Sequence, residues 1–478
     1  MVGVSAPRLR LSVCFPLLSY CLSRSPGGRE GIVVVEFEIP ARGLSGNLIF
    51  AGSSVWALYS LSLHPYDFMS WGARASIGAQ LSNAFAAMGS ESSESREFFV
   101  SSVVLPMNLD LWAQQVIAHN SDYNSGDNSD FLDLVADQYA VLKYNGARAR
   151  RSYLCVKLGN RRSFGAAFAG VRGVREAWHR FAGLFGPIEE VTAEEERVWR
   201  GKEDALHAIV STGALGAERV KGAFETVAYM NAVLSPALPL PPLADDGAQR
   251  VGRGEVAGLV DEFMVVNRPR SVEVRRWYDG VERSGFMSSL VVSGFPRQSV
   301  YPDQPPVLYV PSLAGEDYST FGFFRLVPSA EVKRKVRRKK ADQVDEAKEL
   351  GKVSAAGMEA RASDAGLEDS LADLSMAESV IAEDESRPWL VGSFVVAVTA
   401  EGEDELVRRV NELRQVYDNN GVRVVVPMGS QASLLREMLP GAGHKVTDYD
   451  QTMTVEGVGV CGVNFGSSAG DPVRGALP

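Results

Sequence analysis

The chain has 478 residues, 45% of them hydrophobic and 23% charged, which is ordinary for a soluble globular protein and excludes collagen-like and wholly disordered chains. At roughly 100–200 residues per domain it suggests two to four domains. Four scattered cysteines (Cys14, Cys21, Cys155, Cys461) exclude a disulfide framework and a zinc ribbon and fit a reducing, cytoplasmic compartment, while a net charge of −10 leaves nucleic acid only a local basic patch to bind.

Residues 1–30 read as an unstructured or misassigned start. Leu11 to Leu22 resembles a weak signal peptide behind Arg8 and Arg10, but Pro16, serines and Tyr20 interrupt it and no A-x-A cleavage site follows. No run reaches the ~18–20 apolar residues of a membrane-spanning helix. Residues 31–160 read as a first α+β module. Strands are expected at Ile32–Phe37 and in Asn47–Ser62, with a hairpin at Gly52-Ser53-Ser54, and a helix over Asp67–Met88. A strand at Phe98–Met107 and helices at Leu109–His119 and Phe131–Tyr144 follow, and the strand Ser152–Leu158 closes a sheet covered by helices on one face.

Residues 163–234 read as helical throughout, with Val171, Val174, Trp178, Phe181 and Phe185 in one stripe. The next segment, 235–254, opens with Ser235–Pro242, four prolines in eight residues, a stiff linker. Residues 255–328 return to strands, including Ser271–Tyr278 and Met287–Phe295, and 329–388 form a long charged helical hairpin. A second α+β module at 389–466 echoes the first, with strands at Phe394–Val398 and Val422–Val426, helices at Asp404–Tyr417 and Gln431–Met438, and strands across Thr452–Phe465. The predicted class is α+β: small strand–helix–strand modules, a helical insertion and the charged hairpin.

Chemical motifs are sparse. The phosphate loop G-x-x-x-x-G-K-[ST] does not occur: Gly201-Lys202 and Gly351-Lys352 lack both the following hydroxyl and the glycine five residues back. Gly457-Val-Gly459-Val-Cys-Gly462 fits G-x-G-x-x-G, but its downstream context points to a Gly-rich strand instead. Asp122–Asp133 departs from a calcium loop at positions five, six and twelve and reads as a solvated acidic loop. The five histidines (His64, His119, His179, His207, His444) have no metal-ligand spacing, Cys461 reads as a small buried apolar group, and no nucleophile elbow exists. Trp56, Tyr59, Trp112 and Trp178 read as core. No catalytic, metal or cofactor residue is assigned.

The sharp feature is Lys333-Arg334-Lys335-Val336-Arg337-Arg338-Lys339-Lys340, seven bases in eight residues, followed from Asp342 to Arg387 by thirteen acids and four bases. Such a run can bind phosphate backbones or an anionic membrane. Folding back at Gly351 or Gly357 would pair it with the acidic arm, whose Leu367, Leu371, Leu374 and Ala377 share a face. Self-pairing or protein contact ranks above nucleic acid.

Several segments in order carry a family resemblance: Asn47-Leu-Ile-Phe, Ser54-Val-Trp56-Ala-Leu-Tyr59, Pro65-Tyr66-Asp67-Phe68, Ser152–Leu158, Arg334–Lys340, Gln431-Ala-Ser-Leu434-Leu435-Arg-Glu-Met-Leu439-Pro440-Gly441 and Ser467-Ser-Ala-Gly470-Asp471-Pro472. Over about 35–475 the chain resembles the amino-terminal half of the conjugative or type IV secretion ATPases, the CagE/TrbE/VirB and TraC-like family, in the form carried by actinobacterial mobile elements. The resemblance implies an α+β half that precedes a RecA-like motor, with 467–478 as a truncated lead into it. It implies channel proteins as partners, a homo-oligomer (a hexamer in the family) and a cytoplasmic place at the inner face of the membrane. No catalytic residue of the family has a counterpart here. The expected function is therefore a non-catalytic docking and assembly module, truncated or split from its motor. A self-sufficient scaffold of the same descent is the alternative, and an unrelated enzyme comes last.

Overall fold

The computed structural model describes residues 33–90, 96–106, 109–121, 129–144, 148–161, 193–238, 250–252, 256, 258–260, 262–278, 280–295, 304–314, 318–355, 363–384 and 386–466. The expectations for Leu11–Leu22, Asp122–Asp127, the stripe from Val171 to Phe185, Gly357 and 467–478 fall outside them.

The first strands are β1 (Val33–Val35), β2 (Gly43–Ser45), β3 (Leu48–Ala51), β4 (Ser54–Leu61), β5 (His64–Pro65), β6 (Glu97–Pro106) and β7 (Arg148–Asn160). Next come β8 (Glu218–Arg219), β9 (Arg250–Val251), β10 (Phe263–Asn267), β11 (Val272–Tyr278), β12 (Val281–Gly294) and β13 (Ser319–Val327). The last are β14 (Trp389–Ala400), β15 (Arg423–Val425), β16 (Gln451–Thr454) and β17 (Phe465–Gly466). The helices are α1 (Trp71–Ser90), α2 (Leu109–Ser121), α3 (Ser129–Tyr144), α4 (Ala193–Val210), α5 (Ala223–Val233), α6 (Ser329–Ala355), α7 (Ser363–Glu383), α8 (Glu403–Asn419), α9 (Gln431–Glu437) and α10 (Val455–Gly459).

Fifteen of the described strands form one antiparallel sheet in the order β1-β10-β11-β12-β14-β13-β6-β7-β4-β3-β2-β9, with β15 on β12, β16 on β14 and β8 on β4. The class is α+β. Strands of both modules read from the sequence belong to this single sheet, because β13 pairs with β6 from Thr320↔Ser102 to Arg325↔Glu97. Helices cover both faces, not one. On one face Leu81, Phe85 and Met88 of α1, Trp199, Leu206 and Val210 of α4, and Leu406, Leu413 and Tyr417 of α8 pack on Tyr59, Val156, Phe324 and Val396. On the other, Val227, Met230 and Val233 of α5, Leu434 and Leu435 of α9 and Met438 just beyond it pack on Trp56, Cys155, Phe323 and Val395. Central strands such as β4 and β14 are therefore buried on both sides, and their sequences read as continuous apolar runs.

Local chemistry sets the joints. Gly52-Ser53 turns β3 into β4, with Ala51 opposite Ser54. At the preceding turn Asn47 follows Gly46, whose φ is +55°. The Asn47 amide donates to buried Glu203 of α4 (3.0 Å) and accepts from Arg200 (2.5 Å), pinning α4 to the hairpin. Burial opposes ionisation of Glu203, but hydrogen bonds from Arg219 and Asn47 hold its carboxyl below the usual range.

The described part of 163–234 is not helical throughout. After α4 a left-handed Gly213 and Gly216 turn the chain so that Glu218–Arg219 pairs with Ser60 and Tyr59 before α5 begins. Nor is the start of 235–254 a solvated linker: Ser235, Pro236 and Leu238 are buried. The Pro236 carbonyl sits against Gly285 of β12, where any Cβ would collide with it, and fully buried Arg276 donates to Ser235 Oγ and to Asn231 Oδ1 (2.9 Å). The strands expected across Thr452–Phe465 are broken by α10. Gly457 and Gly459 lie in this helix, not in a Gly-rich strand. A Cβ on Gly459 would strike Ser82 Oγ and the Gly78 carbonyl, so glycine is what allows α10 to cross α1 closely.

Candidate interaction surface

Val327, the last residue of β13, pairs directly with Trp389, the first of β14. Two antiparallel neighbours of that kind need only a short turn. Here the connection is the charged arm of α6 and α7, which pack against each other as the sequence predicted. Val332 and Val336, one turn apart on α6, join Ile381 of α7 in a small core with Val327 and Trp389, flanked by Leu374, Ala377 and Val380. Ser329 Oγ donates to the Arg387 carbonyl and Arg387 pairs with Glu456 (2.6 Å), tying the base of the arm shut. Gly351 lies inside α6 and is not a turn point.

With Val332 and Val336 turned inward, the seven bases take the remaining faces of α6. Lys335 pairs with Glu331 of its own helix (3.1 Å), which also lies 3.8 Å from Arg325. Lys340 crosses to Glu378 of α7 at 2.6 Å, and its hydrogen bond holds the Glu378 carboxyl below the ordinary range. Arg334, Arg337, Arg338 and Lys339 are exposed, and none makes an ion pair with a described residue. Between the arms, Ser329, Ala330, Lys333, Arg334, Arg337 and Ile381 line a groove of about 340 Å³.

A second helical arm, α2 with α3, is inserted in the same way between β6 and β7, whose pairing ends at Pro106↔Arg148. It has a core of its own in Trp112, Val116 and Val135, and Tyr139 donates to Asp110 (2.9 Å). Leu132, Leu134, Val141 and Tyr144 face solvent. Because β6 and β13 are antiparallel neighbours, the two arms leave the sheet at opposite ends.

Other sequence candidates resolve into packing. Gln431 is fully buried; its Oε1 accepts from the Ser289 amide (2.7 Å) and its Nε2 donates to the carbonyls of Ser289 (3.1 Å) and Pro427 (2.9 Å), replacing a strand partner on β12. Leu434, Leu435, Met438 and Leu439 are core, and Gly441 takes a φ of +86° against Ala51. The Gln-x-x-Leu-Leu-x-x-Met-Leu-Pro-Gly run is thus a plug for one sheet face. Trp56, Tyr59 and Trp112 are buried, as are Cys155 and Cys461; burial raises both thiols, Cys461 to about 12. His64 meets the Ala214 carbonyl at 2.8 Å and His207 stacks on Tyr59.

Sequence reasoning missed one cluster. His444 lies between Glu437 (Nδ1 to Oε2, 2.8 Å) and Asp450 (Nε2 to Oδ1, 2.6 Å) and stacks on Phe323. Glu437 Oε1 also accepts from the amides of Lys445 and Val446, the latter at 2.6 Å. Burial would push the imidazole down; hydrogen bonds from its two ring nitrogens to the carboxylates, and their charges, raise it to about 9. Carboxylates seven residues before and six after a histidine make no recognisable spacing, so the sequence carried no signal. Among the described residues no cluster of three or more His, Cys, Asp and Glu side chains could hold a metal ion, and no helix is long and apolar enough to cross a membrane.

Compared with known proteins, the chain matches no protein-family model and no curated protein.

Proposed function

We propose that the chain is a non-catalytic docking and assembly part of a conjugative, type IV secretion transfer ATPase, and that the α6–α7 arm grips its partners. The order of motifs supports the family; the position of the arm supports the role. Roughly 60 residues stand where β13 and β14 need a short turn, so the arm is dispensable for strand pairing. It carries an exposed basic band on a small core of its own. Surfaces of that kind steer and orient acidic partners. On this reading the partners are channel proteins and further copies of the chain, at the inner face of the membrane.

Replacing residues 328–388 by a short Asn-Gly turn tests it. The shortened chain should still unfold in one cooperative transition while losing co-purification with type IV secretion channel subunits. Undiminished capture by the armless chain, or ATP turnover that persists through repeated purification, would overturn the proposal.

A further inference from the structure

We propose that the groove between the first turns of α6 and the last turn of α7 is a binding site for a phosphate group, held by Arg334 and Arg337 with Lys333 completing the positive wall. This goes beyond the docking role and does not depend on it. The three bases stand at positions i, i+1 and i+4 of one helix, so their side chains fan around a single edge of α6, and all three line the same groove. The facing wall is Ile381, an apolar residue of the buried core under the arm, and not a carboxylate.

Two nearby acids are engaged with other bases. Glu331 takes Lys335, and Glu378 takes Lys340 at 2.6 Å, although its charge is felt at Arg337 and Lys333. On the same helix, therefore, Lys335 and Lys340 are neutralised within the arm, while at the groove two guanidinium groups have no ion pair with a described residue. A volume of about 340 Å³ is at the small-ligand end of binding pockets, enough for a phosphate and part of the group that bears it.

The chemistry of the anion follows from the donors. The two guanidinium forks, with the charge of Lys333 beside them, give the groove three positive charges. A planar carboxylate offers two oxygens and one charge. A phosphate monoester offers three oxygens in a tetrahedral spread and a charge near −2, which fits two guanidinium forks beside a third positive charge better. The phosphate can belong to a free small molecule or to a lipid headgroup.

Two charge-matched double variants of the full chain separate a site from a diffuse basic surface: Arg334→Gln with Arg337→Gln inside the groove, and Arg338→Gln with Lys339→Gln outside it on the same helix. All four side chains are exposed, so both variants should melt with the parent protein. Inorganic phosphate is titrated by calorimetry, and phosphatidylcholine vesicles with and without phosphatidic acid are tested by co-flotation. The groove variant should weaken binding about tenfold or more and the outer variant less than about twofold. That pattern with inorganic phosphate assigns a free phosphate; the same pattern with phosphatidic acid vesicles alone assigns a headgroup. Equal losses in the two variants, or no binding of either probe by the parent protein, would overturn the site.

Discussion

At Gly285 the carbonyl of Pro236 occupies the space a Cβ would need, whereas at Gly201, on the exposed side of α4, nothing lies within 4 Å. The same substitution should therefore have opposite signs. Gly285→Ala should lower stability by roughly 1–3 kcal/mol through overpacking, and Gly201→Ala should raise it by roughly 0.5–1 kcal/mol through helix propensity. Denaturant midpoints for the two variants check this; equal effects would show that Pro236 does not press on β12. At this scale the sequence was readable where residue type alone decides, as for Cys461 and the buried tryptophans. It was unreadable where a distant backbone decides. Nothing around Gly285 says that a proline-rich stretch about 50 residues earlier packs on it, and the glycines at 457–462 matched a nucleotide fingerprint while two of them, Gly457 and Gly459, lie in a short helix against α1.

Between elements, the clearest electrostatic joint is His444, which links α9 through Glu437 to the loop bearing Asp450. Its folded-state value of about 9 lies above the ordinary 6.5, so the imidazolium stabilises the fold fully below pH 6.5 and the benefit fades as pH rises through 9. The effect is on the order of 3 kcal/mol. The melting temperature should fall between pH 7 and 9.5 in the parent protein and change much less in His444→Gln; parallel pH profiles would refute the joint. Elements with a strong period were legible: α1, α3, α8 and the α6–α7 arm were predicted within a few residues of where they lie. The longer strands of the sheet lie in stretches read as strands, but β8 fell in a stretch read as helical, β9 in one read as a linker, and the strand partners were not found. A strand buried on both faces has no alternation to show which neighbour it faces.

For the molecule as a whole, the strand order interleaves the chain. β14 sits between β12 and β13, and β13 in turn pairs with β6 from the first hundred or so residues. The boundary read near residue 389 therefore falls within one sheet, a fact carried by long-range pairing that no local pattern reports. A fragment ending at Val327 would leave both β12 and β13 with open apolar edges. Residues 33–327 produced alone should aggregate, and co-production with 389–466 should restore a soluble complex of the two pieces, read by size-exclusion chromatography and circular dichroism. A monomeric, cooperatively unfolding 33–327 fragment would contradict the pairing.

The same insertion sets a timetable for synthesis. The ribosome finishes β13 roughly 70 residues before it finishes β14, the strand that must slide in beside it. At about 5–20 residues per second, the nascent chain spends several seconds with a vacant slot in the middle of its sheet. The long charged arm is made in that interval, so a highly soluble segment accompanies the chain through its most aggregation-exposed moment.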